Sequence, residues 1–346
     1  MRTILNIIKD LILHGRRACQ QMRPTGKASS AGGVVLRHQN ALALPTSPLL
    51  ATCVLLPMLL LVAGCTVTIR APTPVPPQPA PVGAAKKPLK IGLALGGGAA
   101  RGFAHVGVIA VLEEAGLKPD LVVGTSAGSL VAALYASGKT SAQLQQTALN
   151  MEEVALTDWM LPLVGRGMFR GEALARYANN LVAGRVIENM AIPLGIVATD
   201  LASGQAMLFQ RGDTGTAVRA SSAVPAVFLP VKINGRDYVD GGLVSPVPVR
   251  FAWQMGADVV VAVDISSPPE GNASDGTLQI LLQTFAIMSK SINQFELKDA
   301  DVVVRPAQAG LRGADFSSRQ RAIDAGRAAM LAALPALKAR LSLARP

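Results

Sequence analysis

The residues with the clearest chemical potential lie in the stretch Gly124-Thr125-Ser126-Ala127-Gly128. A short apolar run, Leu121–Val123, precedes it, and a helical pattern begins directly after the serine. Small residues on both sides of a serine allow a strained strand-to-helix turn that projects the hydroxyl from the strand end. The first N–H groups of the helix favour the negative charge that develops in acyl transfer. The pattern predicts Ser126 as a nucleophile, with Gly124 and Gly128 allowing the turn.

A glycine-rich run, Gly96-Gly97-Gly98-Ala99-Ala100-Arg101-Gly102, follows the buried-strand pattern Leu89–Leu95. It is not a dinucleotide motif, because Arg101 stands where the third glycine is needed, and it lacks the Lys-Ser/Thr pair of a P-loop. What remains is a turn whose backbone N–H groups can bind an anion, here a tetrahedral oxyanion. Arg101 would support this loop or add positive potential; a solvated arginine at a helix start is the alternative.

A nucleophilic serine needs a base, and two side chains are candidates. His105 is the only histidine after residue 38, but it lies at the start of a helix and has no evident carboxylate partner. We interpret it as a packed or loop-supporting residue. Asp240, in Tyr238-Val239-Asp240-Gly241-Gly242, ends a predicted strand, where a partly desolvated carboxylate can accept the serine proton. An ordinary turn is the alternative for this segment.

Together these three motifs resemble the patatin-like phospholipase family, in particular its bacterial single-domain branch, which is related to the catalytic domain of neuropathy target esterase. The resemblance covers about residues 88–335 and includes the stretches 198–204, 219–228 and 301–306. It implies a Ser–Asp dyad with no catalytic histidine, no calcium and no other cofactor. It implies Ser126 as the nucleophile and Asp240 as the base, followed by the motif glycines Gly241 and Gly242. It also implies an oxyanion hole formed by the amides of Gly97, Gly98 and Ala99, with Arg101 in support.

A sheet with alternating strands and helices must position these residues. The order strand, glycine loop, helix, strand, serine turn, helix is that of a right-handed βαβ unit. Half of the residues are hydrophobic, 4% are aromatic and 33 are glycine, which favours an aliphatic parallel sheet covered by small-residue helices. We predict a three-layer α/β/α hydrolase with a mostly parallel central sheet. Further strands are predicted near 194–198, 206–209, 227–231, 238–239, 259–263 and 302–304, and helices near 103–115, 144–151, 172–181, 214–221, 249–255, 277–292 and 318–341.

The formal net charge of +11 is not a nucleic-acid signature, because the basic residues form no dense block in the body of the chain. Residues 1–64 hold seven Lys/Arg against Asp10 and account for +6 of this charge. The cysteines are Cys19, Cys53 and Cys65, so we expect no disulfide and no thiol metal site in the body.

The N-terminal region is predicted to be a targeting segment. A basic region is followed by an apolar run that is too short for a comfortable transmembrane span. The run ends in Val62-Ala63-Gly64-Cys65, which resembles a lipobox with a lipidated cysteine. The basic region is long, which suggests a start codon placed too early, and Pro57 breaks the apolar helix. An uncleaved membrane anchor is the alternative.

Three segments follow: a signal peptide over 1–64, the lipidated Cys65 with a Pro-rich linker over 65–87, and the catalytic domain over 88–346. Thr66 at the second mature position resembles outer-membrane sorting in Gram-negative bacteria. We expect a lipid-anchored envelope protein, at the outer membrane and facing the periplasm.

The sequence thus predicts a serine acyl hydrolase of phospholipase A or lysophospholipase type that cleaves fatty-acyl esters of membrane lipids. Its expected partners are the phospholipid or lysophospholipid substrate and the membrane that holds Cys65, not nucleic acid. An acyltransferase or thioesterase would use the same residues, and a catalytically silent envelope lipoprotein is a further alternative.

Several other polar residues are expected to support the structure: Asp200, Ser203, Ser221, Ser222 and Asp264. The helix at 277–292 has an apolar face wider than a surface helix needs. Core packing, an acyl-chain wall and a membrane-facing surface are open alternatives for it.

Overall fold

The computed structural model describes residues 89–151, 169–266, 276–307 and 316–343. The predicted signal peptide, the lipidated Cys65 and the Pro-rich linker lie outside the described residues. Within the part of the chain that is described, no helix is long and apolar enough to cross a membrane.

Five parallel strands form the centre of the sheet, in the order β3-β2-β1-β7-β8. They are β1 (Ile91–Leu95), β2 (Leu121–Thr125), β3 (Leu194–Asp200), β7 (Val259–Val263) and β8 (Val302–Val304). Their near-continuous Val, Leu and Ile content is typical of strands that are buried on both faces.

Antiparallel strands complete the sheet beyond β3. The strand β6 (Arg236–Asp240) pairs with β3 and with β5 (Val231–Ile233), and β4 (Ala206–Phe209) also pairs with β3. The prediction of a mostly parallel sheet is confirmed. The predicted strand at 227–231 is wrong, because this segment makes only an isolated bridge between Phe228 and Phe169 before β5 begins.

Eight α-helices are described: α1 (Ala104–Glu114), α2 (Ala127–Ala136), α3 (Ser141–Leu149), α4 (Glu172–Leu181), α5 (Thr214–Ser221), α6 (Val249–Gln254), α7 (Thr277–Glu296) and α8 (Arg319–Leu343). All lie within a few residues of the predicted helices. A 3₁₀ turn over Ala99–Phe103 precedes α1, where the sequence predicts only a loop.

The sheet separates two hydrophobic cores, because alternate residues of a strand point to opposite faces. Leu93 and Leu95 of β1 belong to the core that α1, α2 and α8 cover. Ala94 belongs to the other core, with Phe251 and Ala252 of α6. This is the predicted three-layer arrangement.

Candidate active site

Ser126 occupies a strained turn between the end of β2 and the start of α2. Its φ of 52° and ψ of −125° lie where a residue with a side chain is rarely found, at a cost of about 1–3 kcal/mol. The flanking glycines allow close packing: a Cβ on Gly124 would lie 2.4 Å from the carbonyl oxygen of Gly128, and a Cβ on Gly128 would lie 2.2 Å from that of Leu95. Any side chain at either glycine would therefore displace the turn.

Neighbouring hydroxyls hold the backbone of Ser126 in this conformation. Its N–H donates to Ser221 Oγ at 2.8 Å, and Ser221 Oγ in turn donates to the carbonyl oxygen of Val197 at 2.6 Å. Ser129 Oγ donates to the carbonyl oxygen of Ser126 at 2.6 Å. The supporting position predicted for Ser221 is confirmed, and the contact of Ser129 is one that the sequence reasoning missed.

The sheet brings Asp240 to Ser126 across 114 residues of sequence. Asp240 ends β6 opposite Ala198 of β3, and β3 pairs with β2, whose last residue precedes Ser126. Ser126 Oγ donates to Asp240 Oδ2 at 2.7 Å. A hydroxyl and a carboxylate at this distance are placed for proton transfer.

Burial sets the acidity of the Asp240 carboxyl. The residue is 1% exposed, and this burial raises its pKa to about 6, against the opposing hydrogen bonds from the Gly242 N–H and the Ser126 hydroxyl. The Gly242 N–H donates to Asp240 Oδ1 at 2.7 Å, which leaves Oδ2 for Ser126. A carboxylate of raised pKa that is still ionised near neutral pH is suited to act as a base.

The two glycines after Asp240 are needed for close contacts with neighbouring segments. A Cβ on Gly241 would lie 2.2 Å from the carbonyl oxygen of Val197. A Cβ on Gly242 would lie 2.9 Å from Cζ of Phe285, a residue of α7. The glycines thus let the base approach β3 on one side and α7 on the other.

The glycine loop lies beside the serine turn, as predicted, but one of its amides is already engaged. The Gly97 N–H donates to the carbonyl oxygen of Pro246 at 2.9 Å, so the prediction that it donates to an oxyanion is wrong. Gly97 instead gives the turn room, since a Cβ there would lie 3.1 Å from Ser126 Cβ. Among the described residues, the N–H groups of Gly98 and Ala99 donate to no other group. These two amides stay available for an oxyanion.

Arg101 fastens the glycine loop to the strand beside it. Its Nε donates to the carbonyl oxygen of Ile265, just after β7, at 2.9 Å. A Cβ on Gly98 would lie 2.8 Å from this same oxygen, so the loop passes close to the end of β7. The supporting role predicted for Arg101 fits this contact.

His105 is buried beneath the glycine loop and supports it. Its Nε2 lies 2.8 Å from the carbonyl oxygen of Gly96, so Nε2 carries the proton and donates. Burial lowers its pKa to about 4, which keeps the ring neutral at pH 7. The interpretation of His105 as a loop-supporting residue agrees with this geometry.

A cavity of about 400 Å³ opens beside Ser126 and is lined almost entirely by apolar side chains. One of its walls is the side of α2 that carries Ala127, Leu130, Val131 and Leu134. From Ser126 to Leu134 this wall is roughly 12 Å long, at 1.5 Å per helical residue. Such a space accepts a hydrocarbon chain and offers a charged group few partners.

Asp200 and Asp264 are structural, as predicted. Asp200 Oδ1 accepts from the N–H of Ser203 at 2.9 Å, and the Arg236 guanidinium on Oδ2 holds the pKa of this carboxyl at about 2. Asp264 Oδ1 accepts from Ser266 Oγ at 2.6 Å. In the described ranges, no group of three or more His, Cys, Asp and Glu side chains could hold a metal ion.

One buried chain of hydrogen bonds near the nucleophile has no sequence signature. Thr125 Oγ1, next to Ser126, donates to the carbonyl oxygen of Ser245 at 2.8 Å. Ser245 Oγ donates to Glu296 Oε1 of α7 at 2.6 Å, and burial raises the pKa of this glutamate. This chain links the end of α7 to the serine turn.

A strained serine between a parallel strand and a helix defines an α/β protein with a nucleophile elbow. Within that class, residues 93–253 match the model of the patatin-like phospholipase family. These residues therefore form a patatin-like phospholipase domain, and the recognition of this family from the three sequence motifs is confirmed.

Relatives of the chain are found in bacteria and animals. An uncharacterized NTE family protein of Mycobacterium tuberculosis is 33% identical over 203 residues, covering 58% of this chain and 56% of that protein. Patatin-like phospholipase domain-containing protein 6 of Homo sapiens is 34% identical over 192 residues, covering 53% of this chain and 14% of that protein. The chain thus spans about half the length of the mycobacterial relative. The crystal structure of VipD from Legionella pneumophila superposes with a TM-score of 0.49 at 14% identity, covering 72% of this chain and 67% of VipD.

Proposed function

We propose that the protein is a serine acyl hydrolase of the phospholipase A or lysophospholipase type, with Ser126 as nucleophile and Asp240 as general base. The observation that carries this proposal is the 2.7 Å hydrogen bond from Ser126 Oγ to the buried Asp240 carboxylate. The match to the patatin-like phospholipase family supports ester bonds of lipids as the target.

Acylation begins when Ser126 Oγ attacks the ester carbonyl carbon and Asp240 Oδ2 accepts the hydroxyl proton. The carbonyl π electrons move to the oxygen, and the resulting oxyanion binds the N–H groups of Gly98 and Ala99. One such donor is commonly worth about 3 kcal/mol of transition-state stabilisation. When the tetrahedral intermediate collapses, the bond to the alcohol oxygen breaks, and Asp240 returns its proton to that oxygen.

Deacylation repeats these steps with water. Asp240 takes a proton from the water, whose oxygen attacks the acyl-Ser126 carbonyl, and the intermediate collapses to a fatty acid and a free serine hydroxyl. His105 takes no part, because its protonated nitrogen is committed to Gly96 and its ring is buried and neutral.

The apolar cavity along α2 supports a fatty-acyl chain as the part of the substrate that is bound inside the protein. It begins at Ser126, so an acyl chain held there has its ester carbonyl at the nucleophile. Each buried methylene contributes about 0.8 kcal/mol, so the cavity favours long acyl chains over acetyl esters.

The N-terminal segment completes the proposal. We propose that Cys65 is lipidated and holds the protein at the bacterial envelope, at the outer membrane facing the periplasm, where the substrate lies. The lipobox-like sequence before Cys65 supports this anchor. Mass spectrometry of the mature N-terminus tests it: diacylglyceryl-modified Cys65 is expected, and an uncleaved N-terminus contradicts it.

The function is tested with the purified protein on a panel of phospholipids and lysophospholipids, with fatty acid release followed by mass spectrometry. We expect release from the unaltered protein and from a Ser342→Ala control, which alters an exposed serine on α8, and none from Ser126→Ala. Acyl transfer to an added alcohol without release would indicate an acyltransferase. No product from any lipid or thioester would indicate a silent protein.

A further inference from the structure

An ordinary surface helix buries its apolar side and exposes its polar side, whereas α7 buries polar residues and exposes apolar ones. Its buried residues are polar: Ser289, Asn293 and Glu296. Five of the six exposed large apolar side chains of this helix lie on the opposite side, and we call them the outer stripe: Ile280, Leu281, Ile287, Met288 and Phe295. The sixth, Leu282, lies outside the stripe. Phe295 is 70% exposed, the largest value among the exposed hydrophobic residues. A stripe of this kind, turned toward water, marks a contact surface.

The spacing of the outer stripe is that of one helix face, with members seven, eight and fifteen residues after Ile280. The residues that share this face with the stripe are Thr284 and Ser291, which are uncharged. An uninterrupted uncharged face about four turns long results.

The inner side of α7 fixes the helix over the loop that carries the base. Ser289 Oγ donates to the carbonyl oxygen of Gly242 at 3.3 Å, and the Phe285 ring closes against the same glycine. The Gly242 N–H in turn binds Asp240 Oδ1. A surface that docks on the outer stripe is therefore one helix diameter from the site.

The charges next to the stripe indicate what docks there. Lys290 is the only charged residue of 277–295, and Lys298 follows the helix with its Nζ 5.1 Å from the centre of the Phe295 ring. One exposed carboxylate, Asp299, comes directly after Lys298. Both lysines are exposed. Apolar side chains flanked by lysines are the pattern of helices that lie in the interface of anionic membranes.

We propose that α7 is an interfacial helix, which lays its outer stripe into the surface of a bilayer containing anionic phospholipid. This inference rests on the proposed function, because the bilayer is where the substrate of Ser126 lies. The apolar side chains enter the acyl boundary while Lys290 and Lys298 contact the headgroup phosphates. The site beside Gly242 is thereby brought to the lipid.

A tryptophan placed in the stripe tests the docking directly. Phe295→Trp and, as a control, Leu331→Trp on α8, where the leucine is 50% exposed, are made in the full chain carrying Ser126→Ala so that no lipid is consumed. Emission is measured on vesicles of brominated phosphatidylcholine with or without phosphatidylglycerol, after subtraction of the two native tryptophans. We expect the emission at position 295 to be quenched on the anionic vesicles and that at 331 to be unquenched. The proposal is overturned if the same fraction of tryptophan emission is quenched at positions 295 and 331.

Kinetics then separate the stripe from the active site. The triple variant Ile287→Ser, Met288→Ser, Phe295→Ser is expected to lose roughly tenfold or more in rate on phosphatidylglycerol vesicles, because three apolar anchors are lost. Its rate on a monomeric soluble ester is expected to stay unchanged. Lys290→Gln and Lys298→Gln are each expected to weaken binding to anionic vesicles about fivefold.

Each remaining outcome is decisive. A loss on the monomeric ester would make the stripe an acyl-chain wall, and a concentration-dependent dimer that the triple variant abolishes would make it a subunit contact; both overturn the proposal. Quenching without hydrolysis by the unaltered Ser126 protein would leave the interfacial helix standing and overturn the proposed function instead.

Discussion

At the scale of single residues, the proposed mechanism requires Asp240 to be ionised, and ionising this buried carboxyl lowers the stability of the fold. Its pKa in the folded protein is about 6, above the ordinary value of 3.8, so the folded state holds its proton more tightly than the unfolded chain does. Stability therefore falls as pH rises from about 4 to 6 and stays lower above that range. Asp240→Asn removes this cost.

We expect Asp240→Asn to abolish esterase activity. The change in the free energy of unfolding that this substitution causes is expected to be about 2–3 kcal/mol more favourable at pH 8 than at pH 3.5. Urea unfolding at both pH values measures this difference. An Asn variant whose relative stability does not change with pH would contradict the burial of an ionised carboxylate.

If Asp240 is the general base, its carboxylate sets the pH dependence of the proposed reaction. Because Asp240 must be ionised to accept the Ser126 proton, kcat/KM is expected to rise with pH through a midpoint of about 6 and then to level off. Initial rates on a monomeric ester between pH 4.5 and 8 measure this profile. A rate that is flat across this interval would rule out Asp240 as the base.

His105 provides the complementary prediction. We expect His105→Gln to keep its activity within about threefold at pH 8, since a glutamine Nε2 can still donate to the Gly96 carbonyl and no proton transfer is lost. Steady-state kinetics measure this, with circular dichroism as the control for folding. A correctly folded but inactive variant would indicate that His105 takes part in catalysis.

At the scale of elements, α2 begins directly after Ser126 and forms one wall of the cavity in which we propose that the acyl chain binds. Leu134 lies on this wall, eight residues after Ser126, and is 4% exposed. Leu134→Ala is expected to shift the preferred acyl chain by about two methylenes, changing the kcat/KM ratio of long to short esters about tenfold. A panel of p-nitrophenyl esters measures the ratio, and Leu331→Ala on α8 is the matched control. An unchanged ratio would mean that the acyl chain binds elsewhere.

Much of the fold and of the candidate site could be predicted from local sequence patterns. The elbow, the D-G-G turn and the parallel strands have signatures within a few residues, because glycine and apolar periodicity act locally. What escaped prediction depends on distant segments. The Gly97 N–H donates to Pro246, which is distant in sequence, β5 begins only where it can pair with β6, and Glu296 of α7 accepts a hydrogen bond from Ser245. No local pattern encodes such contacts.

At the scale of the whole molecule, the described body places a lipid-type cavity, a Ser–Asp pair and an apolar outer helix on one framework. The proposed mechanism of Ser126 and Asp240 contains no step that uses a metal ion. We expect dialysis against EDTA to leave activity on lysophospholipid vesicles unchanged within error. Lost activity that calcium restores would contradict this mechanism.

The central claim is that Asp240 activates Ser126, and the rate at which a fluorophosphonate labels Ser126 tests it most directly. The labelling reaction is quenched at a series of times, and peptide mass spectrometry then identifies the labelled residue and gives its rate constant at each pH. The account predicts an adduct on Ser126 alone, a rate that rises through a midpoint of about 6, and at least a hundredfold slower labelling in Asp240→Asn. Labelling of a folded Asp240→Asn protein at the unaltered rate would contradict it.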